Sequence, residues 1–346
     1  MKLKINKNCI ISNNAAPKIV AEISANHCGS KKNFLKHILS AHENGADMVK
    51  IQTYEAKDII VNKNFKIKSG LWKNKNLHKL YKHAETPFEW HKEAFDLARK
   101  KNILLFSSPF SERAVDFLEK FDVKIYKLAS FEITDLNLIK KIARTKKPII
   151  ISTGLSNIKE IDTAINTIKK KHSKIIILHC ISGYPTPIDE INLKKILFLK
   201  KKFKQHLIGI SDHTIGIHAS LAATMYEPAI IEKHFTLSKK SKSPDAKFSI
   251  TPKQLCDLKI GVNKFYKMIG SNNLKQITKS EKDSKFFRRS VYAIKNIKKD
   301  EKLTIQNIAN FRPLIGIGAE SYDKILGKKA RSNILKGSSV FFRSLK

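Results

Sequence analysis

Eight times in this chain, a short run of Ile, Val and Leu is followed by an amphipathic stretch of helical period. The apolar runs lie at residues 18–23, 48–52, 103–107, 125–128, 148–151, 175–179, 207–210 and 229–233. The stretches behind them lie at residues 31–44, 86–100, 111–121, 136–144, 158–171, 192–201, 218–226 and 251–269. Strands that are apolar throughout, rather than on alternate residues, are those of a parallel sheet covered on both faces. Eight such units in about 250 residues predict a closed (β/α)8 TIM barrel. The competing architecture, a doubly wound open sheet, would be expected to carry a G-x-G-x-x-G turn after its first strand, and none follows here. Weak alternation over residues 3–12 predicts a short capping hairpin, and residues 54–86, which include S-G-L-W at 69–72, read as a long irregular segment. The pattern changes after residue 270: residues 271–285 are polar and charged, a linker by composition. Residues 286–346, with S-V-Y-A-I and S-S-V-F-F, read as a small β-rich domain. The expected organisation is therefore a barrel domain at 1–270, a linker at 271–285 and a second domain at 286–346.

The formal net charge of +37 invites a nucleic-acid or polyanion-binding reading. Against it, the excess is almost all lysine, spread in doublets and triplets over solvent faces, and Asn and Ile are abundant too, a bias an AT-rich coding sequence produces. No zinc finger, RNA-binding strand signature or long basic tail accompanies the charge. Its effect on function is to favour small anionic substrates. No run of 18 apolar residues is present, so no membrane span is expected. The first residues have neither an apolar signal core nor a small-residue cleavage site. Cys9, Cys28, Cys180 and Cys256 show no C-x-x-C spacing and read as reduced thiols of a cytoplasmic protein.

A barrel places its active site at the carboxyl ends of its strands. There the sequence puts Glu22, then Lys50 and Gln52, Ser107 and Ser108, Lys127, Ser130 and Glu132, Ser152 and Thr153, Ser182 and Tyr184, Ser211, Asp212 and His213, and finally Glu232, Lys233 and His234, with Asp245 to Ser249 beyond. Any one of these is unremarkable as a solvated loop residue; together they are not. Lys50 and Lys127 at the ends of buried strands need an anion to neutralise them. With several hydroxyls they describe a phosphate-and-carboxylate pocket. The simpler account of His213 and His234 is two polar loop residues that never meet. The alternation of units instead sets them at adjacent strand ends, where a histidine pair holds a catalytic divalent metal with open positions.

The segments A-E-I-S-A-N-H-C-G-S (21–30), G-A-D-M-V-K-I-Q-T-Y (45–54), F-S-S-P-F (106–110), Y-K-L-A-S-F-E (126–132), I-S-T-G (151–154), Y-P-T-P (184–187), S-D-H-T-I-G (211–216) and E-K-H-F (232–235) resemble the sialic acid synthase family, in order and over nearly the whole chain. R-R-S-V-Y-A-I-K-N-I-K-K-D-E (288–301) and F-R-P (311–313) resemble its C-terminal antifreeze-like SAF domain. Within the family, S-G-L-W, T-P-F-E-W-H (86–91) and D-A-K-F-S-I (245–250) are most similar to the pseudaminic acid synthase branch, with neuraminate and legionaminate synthases as alternatives.

The resemblance implies condensation of phosphoenolpyruvate with an acylamino sugar. It implies that His213 and His234 ligate Mn2+, or else Mg2+ or Co2+, and that Lys50, Ser108, Lys127, Ser130, Ser152, Ser182 and Ser211 bind phosphoenolpyruvate. It further implies that Glu22, Gln52, Glu132, Tyr184 and Asp245 meet the sugar or the attacking water, with Glu22 handling proton transfer. Arg312 would reach the sugar in the barrel of a partner subunit, making a homodimer with exchanged SAF domains; neither nucleic acid nor membrane is an expected partner. Glu227-Pro228, Lys299-Asp300 and Ser182-Gly183 depart from the family pattern without removing a chemical group. Two other classes of function remain: a basic polyanion-binding protein on a barrel scaffold, and an aldolase using Lys127 or Lys50 as a Schiff base.

Overall fold

The computed structural model describes residues 1–346 as two compact units, Met1–Gly270 and Ser271–Lys346. The first begins with an antiparallel hairpin, β1 (Lys2–Lys4) and β2 (Ile10–Ser12). Eight parallel strands follow: β3 (Lys18–Glu22), β4 (Met48–Thr53), β5 (Leu105–Pro109), β6 (Tyr126–Leu128), β7 (Ile149–Ser152), β8 (Ile175–Cys180), β9 (Leu207–Asp212) and β10 (Ile230–His234). They close into a barrel, β10 pairing with β3 so that His234 lies opposite Glu22.

Successive strand residues face opposite sides, and this builds two separate cores. Ile19, Val49, Ile51, Leu105, Ile149, Ile151 and their equivalents pack outward under the helices. Val20, Met48, Phe106, Ile125, Ile150, Ile176, Leu178 and Ile230 fill the inside, with Leu3, Ile5, Cys9 and Ile11 of the hairpin in the same cluster. The hairpin thus closes the amino end of the barrel, as the alternation over residues 3–12 predicts. Gly209 shows how tight the interior is: a Cβ there would lie 2.6 Å from both the Ile230 carbonyl oxygen and Leu178.

The outer ring consists of α1 (Lys31–Glu43), α4 (Phe88–Lys100), α5 (Glu112–Glu119), α6 (Leu136–Arg144), α7 (Ile158–Lys169), α8 (Lys194–Lys202), α9 (His218–Thr224) and α10 (Pro252–Ile269). Side-chain caps fix several starts: Ser30 accepts from Asn33 N before α1, and Asn157–Glu160 and Thr251–Gln254 form capping boxes on α7 and α10. Pro87 stands at the N-cap of α4 rather than inside its first turn.

The segment at 54–86, expected to be irregular, holds two helices, α2 (Ala56–Ile59) and α3 (Leu77–Ala84). The second has a signal in the sequence: Leu77, Leu80, Tyr81 and Ala84 recur at helical spacing behind an Asn76 cap.

In the second unit, the polar stretch read as linker carries α11 (Lys279–Ser284), started by a Thr278–Glu281 capping box. Strands β11 (Ser290–Ala293) and β12 (Ile308–Phe311) pair antiparallel, and α12 (Tyr322–Ile325) is a single turn. The expected strand S-S-V-F-F makes only an isolated bridge, Ser339 to Tyr292. Val291, Ile297, Leu303, Ile308, Ile317, Ile334, Val340 and Leu345 form this unit's own core. No helix is long and apolar enough to cross a membrane.

Candidate active site

At the carboxyl end of the barrel lies a cavity of about 450 Å3, within the range of small-molecule sites. Each of the eight strands contributes to its floor, through Glu22, Lys50, Ser108, Lys127, Ser152, Cys180, Ser211 and Glu232, and two strands reach it a second time, through Gln52 and His234. Each continues the parity of apolar interior residues below it, as Lys50 follows Met48 and Glu232 follows Ile230. The barrel interior is apolar for most of its depth and becomes polar in its last layer.

That layer is charged and internally balanced. Lys50 Nζ lies 2.7 Å from Glu22 Oε2 and 2.8 Å from Glu232 Oε1. Glu232 Oε1 also accepts from Ser211 Oγ at 3.0 Å and lies 3.7 Å from Lys127 Nζ. The sequence argument gave the two lysines an external anion as counter-charge; the structure supplies Glu22 and Glu232 instead. Burial nevertheless pulls Lys50 down to about 7, against the attraction of Glu232. Burial would raise Glu232, but Lys127 and Lys50 hold it at about 2, ionised throughout the neutral range.

What the layer lacks is partners for its hydroxyls. Ser108 Oγ, Ser152 Oγ and Ser182 Oγ are buried without a hydrogen bond, a costly state for a polar group. Ser182 lies behind the lining, against Gly154: a Cβ on Gly154 would fall 2.1 Å from Ser182 Oγ and 2.8 Å from Ser130 Oγ. Ser130 Oγ accepts from Gly154 N at 3.1 Å, so only glycine lets these two hydroxyls approach each other.

His213 and His234 meet, their ring centroids 5.3 Å apart. His213 Nδ1 donates to the Ile181 carbonyl oxygen at 3.0 Å, which leaves Nε2 as the lone-pair nitrogen. His234 Nδ1 is buried without a hydrogen bond, 3.8 Å from Asp245 Oδ2, and burial holds its imidazole neutral. Burial would lower His213 too, but Cys180, the Ile181 carbonyl and Glu232 raise it, so His213 offers its Nε2 lone pair only after giving up a proton. With that proton gone the two imidazoles fit a divalent ion that keeps its other positions for water and substrate oxygen. No cluster of three or more His, Cys, Asp or Glu residues forms around them.

Behind the wall, Asp212 and Lys233 pair at 3.0 Å with no exposed side-chain surface. Lys233 also donates to the Thr214 carbonyl oxygen, and Asp212 accepts from Thr214 N and Ser220 Oγ. The pair holds the backbone on both sides of His213 and just before His234. Asp245 reaches the cavity because Asn26 Nδ2 donates to the Phe235 carbonyl oxygen and to Ser249 Oγ, tying the first loop to the last.

Gln52, Ser130, Tyr184, Ser211 and Asp245 line the cavity with the residues above. Glu132 does not; its Oε2 is buried without a partner, and burial raises its carboxyl to about 7. Arg312 belongs to the second unit, in a separate cavity with Tyr292, Phe311 and Lys336. Sequence reasoning set Glu232 at a strand end without giving it a role, and missed Cys180 as a member of the floor. Counting by two from Ile230 and from Leu178 would have placed both there.

The model of the NeuB family matches residues 37–274, more than two thirds of the chain. The chain belongs to the NeuB family. A SAF domain matches residues 288–344, the greater part of the second unit. This NeuB-family chain is 40% identical to the pseudaminic acid synthase of Campylobacter jejuni over 93% of its own length and 94% of that protein. It is also 40% identical to the N,N'-diacetyllegionaminic acid synthase of that species, over 91% and 96%. The crystal structure of N-acetylneuraminic acid synthetase from Leptospira borgpetersenii, in complex with citrate, superimposes with a TM-score of 0.75 at 31% identity, covering 82% of this chain and 95% of that one.

Proposed function

We propose that this chain joins phosphoenolpyruvate to 2,4-diacetamido-2,4,6-trideoxy-beta-L-altropyranose and water, giving pseudaminic acid and phosphate. The observation that carries this reading is the pair of buried, unpartnered serine hydroxyls, Ser108 and Ser152, that line the cavity with Lys50 and Lys127, a cradle that lacks only acceptor oxygens. Phosphoenolpyruvate brings them on its phosphate and its carboxylate. A second reading, the legionaminate-precursor sugar as substrate, is favoured by the equal identity to a synthase of that class. The reaction takes place in the cytoplasm, where phosphoenolpyruvate is made.

Lys50 and Lys127 bind the anion by charge, and Ser108, Ser130, Ser152 and Ser211 orient it by hydrogen bonds, with Ser182 packed behind them against Gly154. Gln52, Tyr184 and Asp245, which line the cavity, hold the open-chain sugar with its aldehyde toward the methylene carbon of phosphoenolpyruvate. That carbon attacks the carbonyl carbon, and the new C–C bond leaves an oxocarbenium ion at the former enol carbon. Water adds there, and the tetrahedral carbon expels phosphate with cleavage of its C–O bond. Glu22, fixed by Ser24 N at 2.7 Å and by Lys50, takes the proton from the attacking water. His213 and His234 would hold a divalent ion, Mn2+ or else Mg2+ or Co2+, which when bound supplies positive charge to the aldehyde oxygen.

The metal assignment is tested by His213→Ala and His234→Ala. Each variant is expected to stay folded, to lose bound metal by elemental analysis and to lose turnover. Wild-type turnover by either in metal-free buffer contradicts it.

A further inference from the structure

Above its polar floor the cavity changes character. Its upper wall is Phe65, Ile67, Trp72, Leu77, Leu80 and Tyr81, with Lys68 as its one charged member, all from the segment between β4 and α4. A surface helix normally buries its apolar stripe against the protein core. The helix α3 has no buried residue at all, yet Leu77, Leu80, Tyr81 and Ala84 of its apolar face all line the cavity. The wall is continuous with the histidine pair: Trp72 lies 5.9 Å from Tyr184, and Tyr184 lies 4.4 Å from His213. Trp72 Nε1 is buried with no acceptor in the protein.

Phosphoenolpyruvate cannot be the ligand of this wall, since its charged ends belong on the lysine and serine floor. What remains is the sugar, and apart from Lys68, Trp72 Nε1 and the Tyr81 hydroxyl the wall offers it no hydrogen-bonding side chain. Resting on the function proposed above, we infer that Phe65, Ile67, Trp72, Leu77, Leu80 and Tyr81 are the specificity surface for the sugar's apolar groups, its C6 methyl and its acetamido methyls. Trp72 Nε1 donates to an acyl carbonyl. A C6 hydroxyl set against the aliphatic part of the wall, Ile67, Leu77 and Leu80, loses water without gaining a partner, which is costly. The wall therefore selects N-acylated 6-deoxy sugars over 6-hydroxy sugars. Aliphatic and aromatic surface does not read hydroxyl stereochemistry, so it treats the altro and manno diacetamido sugars alike.

The test compares kcat/KM for the 2,4-diacetamido-2,4,6-trideoxy sugar with that for its 6-hydroxy counterpart, in the wild-type chain, Leu80→Asn and Ile67→Thr. An apolar pocket discriminates against an added hydroxyl by about tenfold to a hundredfold, the preference expected of the wild type. In both variants, which offer the hydroxyl a partner, the preference is expected to fall at least about fivefold while the KM for phosphoenolpyruvate stays unchanged. An unchanged preference in both variants overturns the inference. So does a rise in the KM for phosphoenolpyruvate that matches the loss with sugar, because it marks general damage to the site. If the wild type releases no phosphate with any acylamino sugar, the proposed function fails and this inference with it. Turnover by the wild type with unmoved variants fails the wall alone.

Discussion

Lys50 is the residue on which the site's electrostatics turn. It sits between two carboxylates, yet burial brings its ammonium down to about 7. Below that pH it is charged and attracts the phosphate; above it, the free protein loses the positive charge that binding requires. The kcat/KM for phosphoenolpyruvate, which reports groups of the free enzyme, is therefore expected to fall as pH rises through about 7. In the pH profile of kcat the same limb moves to higher pH, since a bound dianion stabilises the ammonium. A kcat/KM profile flat from neutral to mildly alkaline pH contradicts this role for Lys50. The sequence made Lys50 visible as a charge at the end of a buried strand, but not its neutralisation by Glu22 and Glu232. That requires knowing which strand faces the next across a closed barrel, a property of closure rather than of any local stretch.

Among the elements, β9 and β10 carry the histidines, and their alignment depends on a pair that never touches the cavity. Asp212 and Lys233 are both buried, and each holds the backbone around Thr214. Removing one member of such a pair leaves an uncompensated buried charge, at a cost of about 3–5 kcal/mol. Lys233→Met is therefore expected to lower the unfolding free energy by about 3–5 kcal/mol in urea titration, with loss of bound metal as the histidine loop loosens. A loss below about 1 kcal/mol would mean that Asp212 finds another partner. The barrel strands were legible because their apolar runs are short, frequent and bounded by helical periods. The helix α3 was not, because its apolar residues face a cavity and its surroundings are rich in Lys and Asn. The short helix α11 was masked for a similar reason: its stretch is polar on every face, and only the Thr278–Glu281 capping box marks it.

At the scale of the whole molecule, an exchange of SAF domains, as the sequence resemblance implies, would make Arg312 of one subunit serve the barrel of another. Two defective chains should then repair each other. Lys127→Met has a dead floor with a sound Arg312; Arg312→Ala has the reverse. Each alone is expected to be nearly inactive, while unfolding and refolding the two together restores about a quarter of wild-type sites, because half the dimers are mixed and each has one complete site. No recovery in the refolded mixture, with dimers present by light scattering, contradicts the exchange. The net charge of +37 belongs to this scale as well: it draws anions such as phosphoenolpyruvate toward the molecule, while the polar layer of the barrel is balanced within itself.

The most direct test of the central claim is phosphate release from phosphoenolpyruvate labelled with 18O at the bridging oxygen, measured with and without each candidate acylamino sugar and with and without a divalent metal. The account predicts that phosphate appears only when a diacetamido trideoxy sugar and the metal are both present, and that it carries the label, because the C–O bond breaks. Release without the sugar, or unlabelled phosphate from P–O cleavage, would contradict it.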